Sequence, residues 1–174
     1  MQEAANQLTS ISRSVETYRA EMNRLAAQLP EYSLVMSLYG VGESFGPQLM
    51  AEIGDVRRFE RKQVLVAFAG VDPMPNQSGE KNVKSNRSSK RGSPYWRKTL
   101  FGIMMCLLQT APADEPVYQF LDKKRAEGKP YYVYMTAGAN KFFRRYYAKV
   151  NEYLAAQDGL PPVDMDSTGL AKNM

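Results

Sequence analysis

A heptad repeat of apolar residues fills the first 30 positions of this 174-residue chain. The apolar side chains recur at alternating steps of three and four, at Met1, Ala4, Leu8, Ile11, Val15, Tyr18, Met22, Leu25 and Leu29. This spacing predicts a helix whose apolar stripe pairs with a second helix in a coiled coil. Pro30 predicts its end, because proline cannot continue the hydrogen-bond ladder. The alternative is one amphipathic helix packed on its own domain.

The remaining segments also follow helical periodicity, so the predicted fold is mainly α. We expect a coiled-coil helix at residues 1–30, a compact helical domain at 31–156 and a flexible tail at 157–174. Within the domain the pattern predicts helices near residues 60–69, 95–110, 114–126 and 133–156, around a long loop at 71–93. The run from 100 to 108 is apolar nearly all round, which predicts that this helix is the buried centre of the domain.

Two short helices joined by Gly40-Val41-Gly42 are expected between residues 31 and 54. Two glycines separated by one apolar residue are typical of a helix-hairpin-helix, in which the backbone approaches a phosphate at the start of the second helix. The sequence therefore predicts a backbone contact to DNA at Gly40 and Gly42. A plain packing corner is the alternative, and Gly46-Pro47 falls inside the expected second helix.

Residue types that are missing or rare exclude several kinds of site. The chain has no histidine and one cysteine, Cys106. An internal disulfide and a multi-cysteine zinc site are therefore excluded, and the commonest general base is absent. No apolar run approaches the roughly 20 residues that span a bilayer. From these features and the polar N-terminus we expect a soluble, cytoplasmic protein that binds no cofactor itself.

Positive charge is concentrated in a long loop and the start of the next helix. The chain carries a net charge of +5, and residues 81–98 hold seven basic residues and no acid: Lys81, Lys84, Arg87, Lys90, Arg91, Arg97 and Lys98. Serines, including Ser89, lie between them and are also phosphate-contacting residues. This concentration predicts a surface that follows a phosphate backbone. A solvated flexible loop is the alternative.

Ser78 lies at the entry to this basic stretch, between Gln77 and Gly79. A following glycine gives a phosphate close access to the hydroxyl, so Ser78 is a candidate nucleophile. Without histidine, its activation has to come from arginines, a metal or residues outside this polypeptide. A serine that only donates a hydrogen bond is the alternative.

Several blocks in fixed order carry a family resemblance. L-Y-G-V-G, A-E-I-G-D, F-A-G, Q-S-G and S-K-R-G, followed by Y-x-R-K-x-L and G-K-P, resemble the C-terminal transposase domain of the insertion-sequence family IS110/IS116 over roughly residues 32–154. These proteins are bridge-RNA-guided DNA recombinases related to the pilin-gene invertase. The preceding coiled coil is also typical of them.

The resemblance implies a role for particular residues. The serine of the Q-S-G block, here Ser78, is implied to be the nucleophile that forms a phosphoserine link with DNA, and the S-K-R-G block, here residues 89–92, belongs to the same DNA-facing region. Implied partners are DNA, a guide RNA and a second copy of the chain. A RuvC-like acidic domain that binds a divalent metal has no counterpart here, so the chain is expected to be a fragment or a truncated form that is inactive alone. A non-catalytic DNA-binding and dimerisation module, or a pairing element with an incidental basic loop, remains the alternative.

Overall fold

The computed structural model describes residues 2–73 and 88–159. This part of the chain contains α1 (Gln2–Ala26), α2 (Tyr32–Met36), α3 (Gly42–Ile53), α4 (Lys62–Ala69), α5 (Pro94–Thr110), α6 (Pro116–Ala126), α7 (Tyr131–Gln157) and a 3-10 turn at Val56–Arg58. The mainly α prediction is confirmed. Outside the helices, the described residues include one isolated antiparallel bridge, between Pro73 and Ser88. The predicted tail beyond residue 159 lies outside the described residues.

Helices α5 and α7 form the centre of the core. Helix α5 buries one side along its whole length and contacts α3, α6 and α7. Helix α7 buries a long stripe that includes Phe143, Tyr146 and Val150. The sequence-based expectation that residues 95–110 form the buried central helix is therefore confirmed, although α7 contributes more buried residues, eleven against six in α5.

Local sequence signals explain where these helices begin and end. Ser93 accepts a hydrogen bond from the backbone of Trp96 and is followed by Pro94 at the first helical position. Glu115 and Pro116 repeat this arrangement at the start of α6, where the Glu115 carboxylate accepts from two backbone N–H groups. Proline at the first position costs no hydrogen bond, because that N–H has no partner inside the helix. Gly70 ends α4 in the left-handed conformation.

Most of helix α1 stands away from the core. Ala26 is its one buried residue, and α1 contacts the domain mainly through α3. The predicted seam is exposed, with 67% of Leu8, 61% of Ile11 and 71% of Tyr18 accessible to solvent. Packing of this helix on its own domain is therefore limited to its last turns. Pairing of the exposed seam with another helix stays a prediction.

Pro47 lies inside α3 without ending it. Proline has no N–H, so the Glu43 carbonyl oxygen four residues earlier loses its helical partner. Asn23 of α1 compensates, because its Nδ2 lies 3.4 Å from that oxygen and donates to it. Gly46 and Pro47 are both buried. Helix α3 therefore continues through Gly46-Pro47, and a contact from a distant part of the chain compensates for the hydrogen bond that the proline removes.

Candidate nucleic-acid interface at the base of the basic loop

The predicted site residues of the basic loop divide into two groups. Ser78, Lys81, Lys84 and Arg87 lie outside the described residues. The remaining basic-loop residues, from Ser89 to Lys98, lie in the described segment that leads into α5. Their surroundings define what this region can bind.

The two ends of the loop are joined at its base. Besides the bridge between Pro73 and Ser88, the Ser89 N–H donates to the Asp72 carbonyl at 2.9 Å and the Lys90 N–H donates to the Gly70 carbonyl at 3.1 Å. The Ser89 hydroxyl also donates to the Asp72 carboxylate. Ser89 therefore closes the loop base, and the phosphate contact predicted for it stays a prediction.

Two glycines allow the loop base to close tightly. A Cβ on Gly70 would lie 2.7 Å from the backbone nitrogens of Arg91 and Gly92, and a Cβ on Gly92 would lie 2.6 Å from the carbonyl carbon of Ala69. Distances below 3 Å between a Cβ and backbone atoms require the backbone to move. The F-A-G and S-K-R-G blocks are thus in direct contact through their glycines, which gives both blocks a physical reason for their sequence.

A cluster of aromatic rings in edge-to-face contact packs next to this base. The Trp96 ring lies between Phe68 and Phe143, with both ring centroids 5.1 Å away. The Arg58 guanidinium lies 4.8 Å from the Phe68 ring centroid and 4.6 Å from that of Phe59. Further along the core, the Tyr147 hydroxyl donates to the Phe59 carbonyl at 2.7 Å, and burial raises the pKa of that phenol. Packed rings of this kind hold the loop base rigidly on α5 and α7.

A groove of about 820 Å³ opens between the loop base, α6 and α7. Its cations are Lys90 from the loop base and Lys141 and Arg144 from α7, and its carboxylate is Asp72. Lys90 and Arg144 are exposed, and Lys141 lies with its Nζ 5.0 Å from the Phe120 ring centroid. Three cations against one carboxylate, already hydrogen-bonded to Ser89, make a surface suited to phosphates. We call this groove the α7 groove; it is lined by residues 71–73, 88, 90 and 120 and by the face of α7 that carries residues 132, 133, 136, 137, 140, 141 and 144.

The other described cations that the sequence predicted as DNA contacts do not line the α7 groove. The Arg97 Nη1 donates to the Gly92 carbonyl at 2.5 Å and to the Lys90 carbonyl at 3.3 Å, so Arg97 fixes the S-K-R-G turn. Lys98 lines a separate groove between α1, α3 and α5. Arg91 is exposed at the loop base. The structure therefore brings Lys90 to the α7 groove and leaves Lys98 on another face.

The glycine turn between α2 and α3 also has a packing role. A Cβ on Gly40 would lie 2.8 Å from the Ile103 carbonyl oxygen of α5, so Gly40 is required by contact with that helix. Gly42 begins α3 with nothing within 4 Å of a Cβ. Helix, turn and helix are present as expected, whereas the phosphate contact of a helix-hairpin-helix stays a prediction. Gly42 is the better placed of the two glycines for it.

Lys141 and Arg144 were not among the predicted site residues. The sequence shows Lys141, Arg145 and Lys149 as a helical basic stripe. In the structure Arg145 instead turns toward Glu115, 3.7 Å away, and lines a different cleft together with Lys149. The sequence could have indicated Lys141 and Arg144 as two basic residues three positions apart on one helix, next to Asn140. Nothing in the sequence, however, places them opposite Lys90, about 50 positions earlier.

Two kinds of feature are absent from the part of the chain that the structure describes. Within the described ranges, no cluster of three or more Cys, Asp or Glu side chains is arranged to hold a metal ion. No helix described here is both long and apolar enough to cross a membrane.

The fold and site define a mainly helical domain with a cationic groove at the closed base of a basic loop. A family model described as Transposase IS116/IS110/IS902 family matches residues 32–119, just over half of the chain. The chain belongs to this family, and the resemblance inferred from its motif blocks is confirmed.

A similar curated protein is the transposase for insertion sequence element IS1111A of Coxiella burnetii (strain RSA 493 / Nine Mile phase I). It is 30% identical over 103 residues, which cover 59% of this chain and 28% of the relative. The matched segment thus spans less than a third of that protein's length.

Proposed function

We propose that this chain is the part of a DNA transposase that holds a DNA strand and supplies a serine nucleophile, Ser78, for strand cleavage and rejoining. One observation carries the proposal. The loop that contains Ser78 leaves and re-enters the fold at a rigid base beside the α7 groove, where Lys90, Lys141 and Arg144 are available to phosphates. Membership in a transposase family supports the same conclusion.

The DNA contacts follow from charge and placement. Lys90, Lys141 and Arg144 bind consecutive phosphates along the groove, and Arg91 extends this surface at the loop base. Lys81, Lys84 and Arg87 flank Ser78 in sequence and contact the backbone around the cleaved bond. Arg97 and Ser89 act indirectly, since they hold the turn that presents Lys90. Gly42 and Lys98 contact DNA on the neighbouring faces.

The chemistry is a pair of transesterifications. The Ser78 Oγ attacks a phosphorus atom of the DNA backbone, a phosphoserine bond forms, and the bond from phosphorus to the leaving strand oxygen breaks. The Ser78 proton passes to a base and the leaving oxygen takes up a proton. The hydroxyl of another strand then attacks the phosphoserine, which rejoins DNA and releases Ser78. Arginines such as Arg87 neutralise charge that develops on the phosphoryl oxygens.

Further components of the reaction come from outside this segment. The divalent metal that the resemblance implies would be held by a separate acidic, RuvC-like domain, a proposal that rests on family membership alone. The exposed seam of α1 pairs two copies, so that two serine loops serve one exchange. A guide RNA is proposed from family membership alone.

Loss of a covalent adduct tests the serine assignment. In a full-length family transposase that carries this segment, incubation with guide and DNA should give a protein–DNA adduct stable to denaturant. Ser78→Ala should abolish the adduct, while Ser85→Ala, a change at another serine of the same loop, should retain it. If Ser78→Ala still forms adduct, the assignment is wrong. If no variant forms adduct but DNA affinity is intact, the non-catalytic binding module is the better description.

The DNA surface has its own test in the isolated chain. Affinity for duplex DNA should fall steeply as salt rises, because bound phosphates release counterions. Arg144→Ala should lower the slope of log K against log salt by about one. Arg125→Ala is the matched control, because Arg125 is also exposed but pairs with Asp122 on α6. Affinity that does not change with salt would argue that the basic loop and groove are incidental.

A further inference from the structure

The α7 groove contains an aromatic residue that the binding of phosphates does not explain. Tyr132 lines the groove and is 73% exposed. Its ring contacts the ring of Tyr131, with centroids 5.2 Å apart, and that of Phe101, with centroids 6.2 Å apart. Burial of this side chain would stabilise the fold, yet most of the residue is accessible to solvent. A ring that is fixed in position and still exposed is a platform for a planar ligand.

The surroundings of Tyr132 indicate what that ligand carries. One stripe of α7 runs along the groove from Tyr132 through Thr136 and Asn140 to Arg144, about 18 Å at the helical rise of 1.5 Å per residue. The aromatic end of this stripe stacks on flat rings, the middle has hydrogen-bonding side chains, and the far end is cationic. Phe120 and Lys141 extend the cationic end on the α6 side. A short single strand of nucleic acid offers the same chemistry over such a length, with flat bases, polar base edges and anionic phosphates.

An unpaired nucleotide fits this arrangement better than a duplex does. In a duplex both faces of each base are covered by neighbouring bases, so an exposed ring finds only phosphates and base edges. An unpaired base exposes a π-face, and stacking on an aromatic side chain accepts any base. The cations at Lys141 and Arg144 then hold the phosphates of the same strand.

We propose that the α7 groove binds a short unpaired segment of a DNA strand, with one base stacked on Tyr132 and the phosphates of the nucleotides that follow it on Lys141 and Arg144. This inference rests on the proposed function, because it assumes that the strand handled here is DNA. It goes further in assigning a single-strand subsite, to which strand exchange delivers nucleotides that have left their duplex.

The test compares variants with and without an aromatic ring at position 132, and compares single-stranded with duplex DNA. Anisotropy with a labelled single-stranded DNA should show that Tyr132→Ala and Tyr132→Leu each lower affinity by about fivefold or more, the size of one lost base stack. Tyr132→Phe should keep affinity within twofold, since it keeps the ring. Val64→Ala is the control, because Val64 is an exposed apolar side chain on α4 and lies outside the groove. The duplex of the same sequence should lose less than twofold with every one of these variants.

A 2-aminopurine in the single strand gives a direct signal. Its fluorescence should fall on binding to the parent chain and to Tyr132→Phe, and should stay high with Tyr132→Leu, because stacking quenches it. The inference is overturned if Tyr132→Leu binds the single strand as tightly as the parent, or if duplex affinity falls equally. An RNA strand of the same sequence that binds tenfold tighter than DNA would overturn the assignment to DNA. Complete absence of salt-dependent DNA binding would instead refute the proposed function.

Discussion

Replacement of Gly70 by alanine tests the closed loop base, on which the position of the basic loop depends. Gly70 has φ +68°, and a Cβ there would lie 2.7 Å from the backbone nitrogens of Arg91 and Gly92. Gly128 supplies a matched control, because its φ is +71° and a Cβ there would have nothing within 4 Å. Alanine costs roughly 1–2 kcal/mol at either position from the left-handed backbone alone. Only Gly70→Ala adds overpacking, about 1–3 kcal/mol.

The two variants should therefore differ by about 2 kcal/mol in the free energy of unfolding. For a domain of this size about 2–4 °C in Tm corresponds to 1 kcal/mol, so Gly70→Ala should melt about 4–8 °C below Gly128→Ala. Thermal unfolding followed by circular dichroism measures this difference. DNA affinity should also fall for Gly70→Ala alone, because the shifted turn carries Lys90 away from Lys141 and Arg144. Equal Tm values for the two variants would refute the argument that backbone contact requires this glycine.

Three other changes test separate parts of the fold. Tyr147→Phe should cost about 1–2 kcal/mol in urea unfolding, because the buried Phe59 carbonyl loses its hydroxyl donor; an unchanged midpoint would contradict the contact. Asp55→Asn should lower stability at neutral pH by less than about 1 kcal/mol, since Arg57 is half exposed and lowers the pKa of Asp55 mainly through a side-chain hydrogen bond. Because the folded-state pKa of Asp55 is depressed, the difference in unfolding free energy between the parent and Asp55→Asn should be present above the ordinary pKa of Asp and should vanish as pH falls through the folded value. A difference that persists at the acid end would exclude the ion pair as its cause. Leu8→Asp should convert dimers to monomers in sedimentation experiments without changing the melting of the domain, whereas dimers that survive it would place the interface elsewhere.

Helix positions could be predicted from the sequence because their signals are local. Ser93-Pro94 and Glu115-Pro116 cap helices within a few residues, and Gly70 ends one by its backbone conformation. The all-round apolar run in α5 likewise indicates burial. Such features depend on neighbours in the chain, so the sequence alone contains them.

Contacts between distant segments could not be predicted. Pro47 is tolerated because Asn23 donates to the carbonyl it leaves free, and no local rule connects these residues. Nearer in the chain, Arg97 also contacts two backbone carbonyls, five and seven positions earlier, and its predicted phosphate contact stays a prediction. The α7 groove exists only because the fold brings the loop base beside Lys141 and Arg144. The family blocks identified the loop, and the three-dimensional contacts determine which of its residues are free to bind.

The central claim is that Ser78 becomes covalently linked to DNA. Its most direct test is mass spectrometry of the adduct trapped from a full-length family transposase, after nuclease and protease digestion. The account predicts a residual nucleotide phosphate on the peptide that contains Q-S-G, with fragment ions assigning it to Ser78. A phosphate linked to another serine or to a tyrosine would contradict the account.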